Sequence, residues 1–104
     1  MRARPEATFA ALGDGHRLHL IARLSKDGPM SITALSTGSS ITRQAVTKHL
    51  RVMEGAGLVR SARQGRESLW QLERASFDRA RQYLDAISIQ WDEALERLRN
   101  LVES

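Results

Sequence analysis

The stretch that decides the fold is TRQAVTKHLRVMEG, residues 42–55, in which apolar residues recur at helical spacing between a capping residue and a glycine. Thr42 can cap a helix of about 13 residues that ends near Glu54 and Gly55. Gly57 is a second candidate for the left-handed residue after the helix. With about 100° of rotation per residue, one side of this helix is apolar and predicts the buried face. That face consists of Val46, Leu50 and Met53.

The opposite side of the same helix is polar and cationic. It carries Gln44, Thr47, Lys48 and Arg51, with Arg43 on the flank. Glutamine can bond adenine through two contacts, whereas lysine and arginine reach guanine and phosphates. We expect His49, which lies beside the apolar stripe, to pack or to hydrogen-bond backbone or phosphate rather than to contact bases. An ordinary solvated helix face has a similar composition, so the flanking segments decide between the two interpretations.

The segments before residue 42 predict three shorter helices. Residues 6–12 form the first, with Phe9 and Leu12 on one side. Asp14 caps a second helix to about Lys26, whose apolar stripe is formed by Leu20, Ile21 and Leu24 and supported by Leu18. Ser31 caps a third, with Ile32 and Leu35 buried, and the glycine-containing break at 38–40 ends it. A short helix, a tight turn and a second helix together predict a helix-turn-helix.

The segment after the helix predicts a basic hairpin, or wing. Residues 58–63 and 66–72 form short strands around Gln64-Gly65, with glycine second in the turn. The predicted tip carries Arg60, Arg63, Gln64 and Arg66, which can reach a minor groove or the DNA backbone. A solubilising loop is the alternative interpretation of these charges.

Residues 74–102 predict one long helix without glycine or proline. Its apolar residues follow a 3-4 spacing, which is typical of a helix that pairs with another helix. We call them the heptad seam: Phe77, Ala80, Leu84, Ile87, Trp91, Ala94, Leu98 and Leu101, widened by Leu95 and Val102. The seam predicts that two chains pair through this helix.

Composition narrows the classes of function. Residues 1–72 carry 11 Lys and Arg against 5 Asp and Glu, whereas residues 73–104 carry 5 against 7, so the first part would attract a polyanion. The chain has no cysteine, which excludes disulfides and thiolate metal sites. No apolar run is long enough to cross a membrane, and no signal peptide is visible, so we expect a cytoplasmic protein without a membrane partner.

The stretch AVTKHLRVMEGAGLV, residues 45–59, resembles the recognition-helix signature of the arsenic-repressor (ArsR/SmtB-like) family. Ala11–Asp14 with Arg17 is similar to that family's first segment, and Arg63–Arg66 followed by Trp70-Gln71-Leu72 to its wing. The resemblance implies a homodimeric repressor that binds an imperfect palindrome and often controls its own operon, with dimers packing through the first and last helices. Gly15 stands where the family usually has proline, and neither the family's thiolates nor histidines on the last helix are present. DNA binding therefore carries over, whereas metal sensing does not.

Together these observations predict a mainly α (α+β) fold, a winged helix-turn-helix in a single domain over 1–104. Its parts are a helix-turn-helix at about 31–55, a wing at about 58–72 and a dimerisation helix at about 74–102. The expected function is sequence-specific regulation of transcription by a homodimer on double-stranded DNA, without catalysis, cofactor or bound metal. The predicted DNA-binding residues are Thr42, Arg43, Gln44, Thr47, Lys48, His49, Arg51, Arg63, Gln64 and Arg66. The predicted dimer interface is Phe9, Leu12, Leu84, Ile87, Trp91, Leu95 and Leu98.

Four alternatives are considered at this point. A winged helix that docks an acidic protein instead of DNA is the main alternative. An enzyme is disfavoured because the chain shows neither a nucleophile-elbow motif nor a phosphate loop. A small-molecule effector is a further open partner. His16 and His19, three residues apart, would supply only two ligands and make a weak metal site.

Overall fold

The structure, a computed structural model, describes residues 5–103 and has five helices and one two-stranded sheet in that range. The elements are α1 (Pro5–Leu12), α2 (Gly15–Asp27), α3 (Ile32–Ser36), α4 (Arg43–Gly55), β1 (Val59–Gln64), β2 (Glu67–Leu72) and α5 (Arg74–Glu103). This order confirms the winged helix-turn-helix fold with a long C-terminal helix. The predicted domain also includes residues 1–4 and Ser104, which lie outside the described residues.

Side-chain caps fix the starts of α2, α3 and α4. The carboxylate of Asp14 accepts a hydrogen bond from the backbone N–H of Arg17 at 3.0 Å. The hydroxyls of Ser31 and Thr42 accept from the third residue of the helix that follows, each at 3.1 Å. Each cap satisfies an N–H group that would otherwise lack a partner at the helix start. The three capping residues predicted from the sequence are therefore confirmed.

A Schellman motif ends α4 and turns the chain into the wing. Gly57 has a φ of 76°, which only glycine adopts without steric cost. Its N–H donates to the carbonyl of Glu54 at 3.0 Å, and the N–H of Leu58 donates to that of Met53 at 2.9 Å. The left-handed residue after the helix is thus Gly57.

The core lies where α2, α3 and α4 meet the sheet. Its members include the three predicted residues of α4, all fully buried: Val46, Leu50 and Met53. Leu20, Leu24 and Leu35 complete the helical side, and Trp70 of β2 covers the opposite side. The prediction that Leu18 supports the stripe of α2 is wrong, because its side chain is 50% exposed. Leu18 lies at least about 120° around the helix from Leu20 and Leu24, which places it towards solvent.

The wing is an antiparallel hairpin whose turn differs from the prediction by one residue. Gln64 pairs with Glu67, so the turn is Gly65-Arg66 rather than Gln64-Gly65. Gly65 has a φ of 63°, and no described residue other than glycine has a positive φ. A positive φ at the first turn residue alone fits a type II′ turn, whereas glycine in second place would have required a positive φ at Gln64 too.

Helix α5 has 30 residues and is about 45 Å long. Its first part packs on α1, where the rings of Phe9 and Tyr83 lie 5.8 Å apart. Beyond Ala80 every described residue is exposed except Ala94, which is half-buried. The helix therefore extends well beyond the other elements. It gives the protomer as a whole a longest dimension of 68 Å. No helix within residues 5–103 is long and apolar enough to span a bilayer.

Candidate nucleic-acid interface

One exposed face of α4 carries most of the predicted DNA-binding side chains. The residues on it that are exposed to solvent are Thr42, Arg43, Gln44, Lys48 and Arg51. The apolar side of the helix is fully buried, so its rotation about its own axis is fixed by packing. A helix held in this way can present polar groups to the major groove of DNA.

Two hydroxyls of α4 are bonded within the helix. Thr42 caps the first turn, as described above. The hydroxyl of Thr47, which is half-buried, donates to the carbonyl of Arg43 at 3.0 Å. Gln44 and Lys48 have no such bond among the described residues, which leaves their polar groups available to a ligand.

Arg51 has two intramolecular partners. Its Nη1 lies 3.0 Å from Oε1 of Glu54, one turn further along α4. Its guanidinium carbon lies 5.3 Å from the centre of the Trp70 ring in β2, within the range of a cation–π contact. Arg51 therefore connects the helix to the wing, and 63% of its side chain stays exposed.

His49 faces α2 rather than the exposed face. Its Nδ1 lies 3.4 Å from Nη1 of Arg17, and its ring centre lies 5.7 Å from that of His16. Nε of Arg17 donates to the carbonyl of Ala11 at 2.6 Å, which holds the guanidinium in place. The histidine packs between elements, and its predicted role in DNA binding stays a prediction.

The cap of α2 is close to this cluster. The hydrogen bond from the Arg17 backbone N–H lowers the pKa of the Asp14 carboxyl below its usual value of 3.8. Partial loss of hydration acts in the opposite direction but has a smaller effect. The positive charges of Arg17 and His49 lower it further. The electrostatics at the start of α2 are therefore linked to α4.

The wing tip carries Arg63, Gln64 and Arg66, which are all exposed. Arg60, which the sequence placed with them, lies at the base of the wing instead, opposite Gln71. Its Nε is 2.6 Å from Oε1 of Glu73, just before α5. The six-residue strand puts Arg60 four pairs away from the turn, and this is why it does not reach the tip.

The heptad seam is uncovered in the protomer. From Leu84 onwards its large members are between 45% and 77% exposed, with Trp91 at 64%, whereas Phe77 is half-buried against the core. Ile89 is similarly exposed, at 58%, but lies on the opposite side of α5. Phe9 and Leu12 of α1, also predicted at the dimer interface, are half-buried. The predicted dimer contacts stay a prediction, since one protomer is described.

A cavity of about 530 Å³ lies between α2, β2 and the start of α5. Its apolar lining includes Ile21, Leu24, Leu72 and Phe77, and its polar lining includes Arg74. The cavity is open to solvent, and its volume falls within the range found for small-molecule sites. His16 and His19 lie elsewhere, and within residues 5–103 no three His, Asp or Glu side chains form a metal-binding group.

The sequence analysis missed three contacts between elements in or near the candidate interface. They are His16 with His49, Arg51 with Trp70, and Arg60 with Glu73. Each joins residues on different elements, and periodicity along one element carries no signal for such pairs.

Comparison with known proteins places these features in context. The family model described as "Helix-turn-helix domain" matches residues 12–62. The chain is 40% identical over 72 residues to the HTH-type transcriptional regulator YuzN of Bacillus subtilis, covering 64% of this chain and 78% of the relative. It is 31% identical over 100 residues to the HTH-type transcriptional regulator Rv2034 of Mycobacterium tuberculosis, covering 96% and 90%. A solved structure of an ArsR-like transcriptional regulator from Rhodococcus sp. RHA1 superposes with a TM-score of 0.85 at 30% identity, covering 93% and 91% of the two chains.

Proposed function

This chain belongs to the ArsR-like family of helix-turn-helix, DNA-binding transcriptional regulators, which are not enzymes, and from that premise we propose that it is a homodimeric repressor of its own operon. The operator is an imperfect palindrome, because a two-fold dimer presents the same surface twice. The bound dimer represses by blocking access of polymerase to the promoter.

The observation that carries this proposal is the exposed face of α4. Gln44 and Lys48 lie opposite a fully buried stripe, and neither has an intramolecular hydrogen bond or ion pair among the described residues. They contact base edges in the major groove, while Thr42 and Arg43 contact the DNA backbone. Arg63, Gln64 and Arg66 of the wing tip contact the neighbouring minor groove or its phosphates.

The heptad seam supports the dimer. Pairing of two α5 helices buries the side chains that the protomer leaves exposed, together with Phe9 and Leu12 of α1. The two α4 helices then enter successive major grooves, with half-site centres about 34–36 Å apart or a multiple of that distance.

The signal that releases this protein from DNA does not act through a thiolate-bound metal, since the chain has no cysteine. The cavity beside Ile21 and Phe77 offers room for a small organic effector. Its position between β2 and α5 would let such a molecule alter the wing and the dimer helix together.

Fluorescence anisotropy with DNA from upstream of the protein's own gene tests the proposal. Affinity should fall with salt, with each phosphate contact adding about −0.9 to the slope of log K against log salt concentration. Gln44→Ala and Lys48→Ala should each lose roughly 1–3 kcal/mol of binding to the operator and little binding to unrelated DNA. Arg63→Ala should weaken both, and Gln82→Ala, exposed on α5, serves as the control.

Two results would contradict the proposal. If the wild type bound upstream and unrelated DNA with the same affinity at low salt, the upstream DNA would contain no specific operator. Flat salt dependence together with a stable complex with another protein would indicate a protein-interaction module instead.

A further inference from the structure

Trp70 joins three elements at the centre of the protomer. It is 2% exposed and pairs with Ser61 of β1 in the wing. Its backbone also exchanges two hydrogen bonds with Met30, just before α3, at 2.8 and 3.0 Å. The guanidinium of Arg51, which belongs to α4, lies over the Trp70 ring. Any movement of the wing relative to α4 therefore disturbs the contact between Arg51 and Trp70.

We propose that Arg51 is a positioning residue that fixes the wing against α4, so that the two DNA-contacting elements act as one rigid unit. The inference rests on the proposed function, because it assigns a role within the same DNA-binding surface. This role differs from that proposed for Gln44 and Lys48, whose side chains face solvent without such partners among the described residues.

The chemistry of the side chain suits this role. A planar guanidinium lies flat on an indole ring while its remaining N–H groups bond a carboxylate, whereas the ammonium of lysine cannot do both. Glu54 supplies that carboxylate from one turn away and sets the direction of the guanidinium. The N–H groups on the exposed edge of the guanidinium can still donate hydrogen bonds to a phosphate.

The base of the wing is fixed on its other side as well. Arg60 of β1 pairs with Glu73, and the N–H of Glu73 donates to the carbonyl of Leu58 at 2.8 Å. The wing is thus attached to α5 at its base and to α4 through Arg51. Loss of the Arg51 contact leaves the wing held by its base, by the buried Trp70 ring and by the hydrogen bonds with Met30, and the wing tip then samples more orientations relative to α4.

A double-mutant cycle between Arg51 and the wing tip tests this coupling. Arg63→Ala should weaken operator binding by the wild type more than it weakens binding by the Arg51→Lys variant. A cation–π contact at a partly exposed site corresponds to a coupling factor of about 2- to 5-fold in Kd. Arg51→Lys keeps the positive charge, so a phosphate contact survives while the stacking is lost. The control cycle, Lys48→Ala with Arg63→Ala, should be additive.

A second measurement reports the contact without DNA. In a Trp91→Phe background, Trp70 is the remaining tryptophan, and its indole N–H signal in a ¹H–¹⁵N spectrum should shift with Arg51→Lys and not with Lys48→Ala. Faster amide hydrogen exchange in β2 of the Arg51→Lys variant would further support the role. An additive Arg51–Arg63 cycle, or an unmoved Trp70 signal, overturns the inference even when the wild type binds its operator. Failure of the wild type to bind the operator overturns the proposed function instead, and the Trp70 signal then still decides whether Arg51 holds the wing.

Discussion

Replacing Trp91 by alanine should separate the dimer. Trp91 is 64% exposed in the protomer and lies in the middle of the heptad seam. A tryptophan side chain can bury about 150–250 Å², so pairing would cover roughly 100–160 Å² of it. At about 25 cal/mol per Å² this corresponds to about 2.5–4 kcal/mol for each copy. A two-fold dimer contains two copies, so even half of this value for each copy would raise the dimer Kd about 70-fold or more.

Sedimentation equilibrium over a range of protein concentrations measures this Kd directly. Ile89→Ala is the matched control, because Ile89 is 58% exposed on the opposite side of α5 and should leave the dimer unchanged. Circular dichroism of both variants verifies that the helices are retained. A Trp91→Ala dimer within about threefold of the wild-type Kd, or an equal loss from Ile89→Ala, would refute pairing through the seam.

Three further predictions concern the protomer. Leu50→Ala should destabilise the fold by about 2–5 kcal/mol in chemical denaturation, because the removed atoms are fully buried; a loss below about 1 kcal/mol would contradict the core assignment. Gly65→Ala should lower the free energy of unfolding by about 1–2 kcal/mol because of the φ of 63° alone, since no atom lies within 4 Å of the added carbon. Faster amide hydrogen exchange confined to the wing would show this loss. Ionised Asp14 stabilises the folded chain above its unfolded pKa of about 3.8, and this contribution disappears as pH falls through the lower folded value. The stability difference between wild type and Asp14→Asn in thermal unfolding should therefore shrink below about pH 4, and a difference independent of pH would exclude the charge as its source.

Local signals in the sequence predicted most of the fold. Asp14, Ser31 and Thr42 were identified as caps because a capping side chain bonds a backbone group only three residues away. The buried face of α4 followed from periodicity, since Val46, Leu50 and Met53 share one side of any helix over that stretch. The 3-4 spacing of residues 74–102 predicted the pairing of two chains, and the resemblance of residues 45–59 to a known signature added the palindromic operator, which periodicity does not supply.

Structural features that depend on contacts between elements were harder to predict from the sequence. The turn of the wing was placed one residue early, because Gln64-Gly65 and Gly65-Arg66 are both acceptable on propensity and only strand register separates them. Leu18 was predicted to support the apolar stripe of α2, although neighbouring elements leave its side of the helix exposed. The contact between Arg51 and Trp70 spans two elements, so neither the helix nor the strand pattern contains it.

If two chains pair through the projecting part of α5 as proposed, the abundance of the protein becomes part of its function. The exposed residues beyond about Ala94 would then gain stability when the second chain covers them. Below the dimer Kd, the amount of DNA-competent species grows with the square of the protomer concentration. Halving the cellular level would then cut that species about fourfold, and an autoregulated gene would switch over a narrow range of its own product.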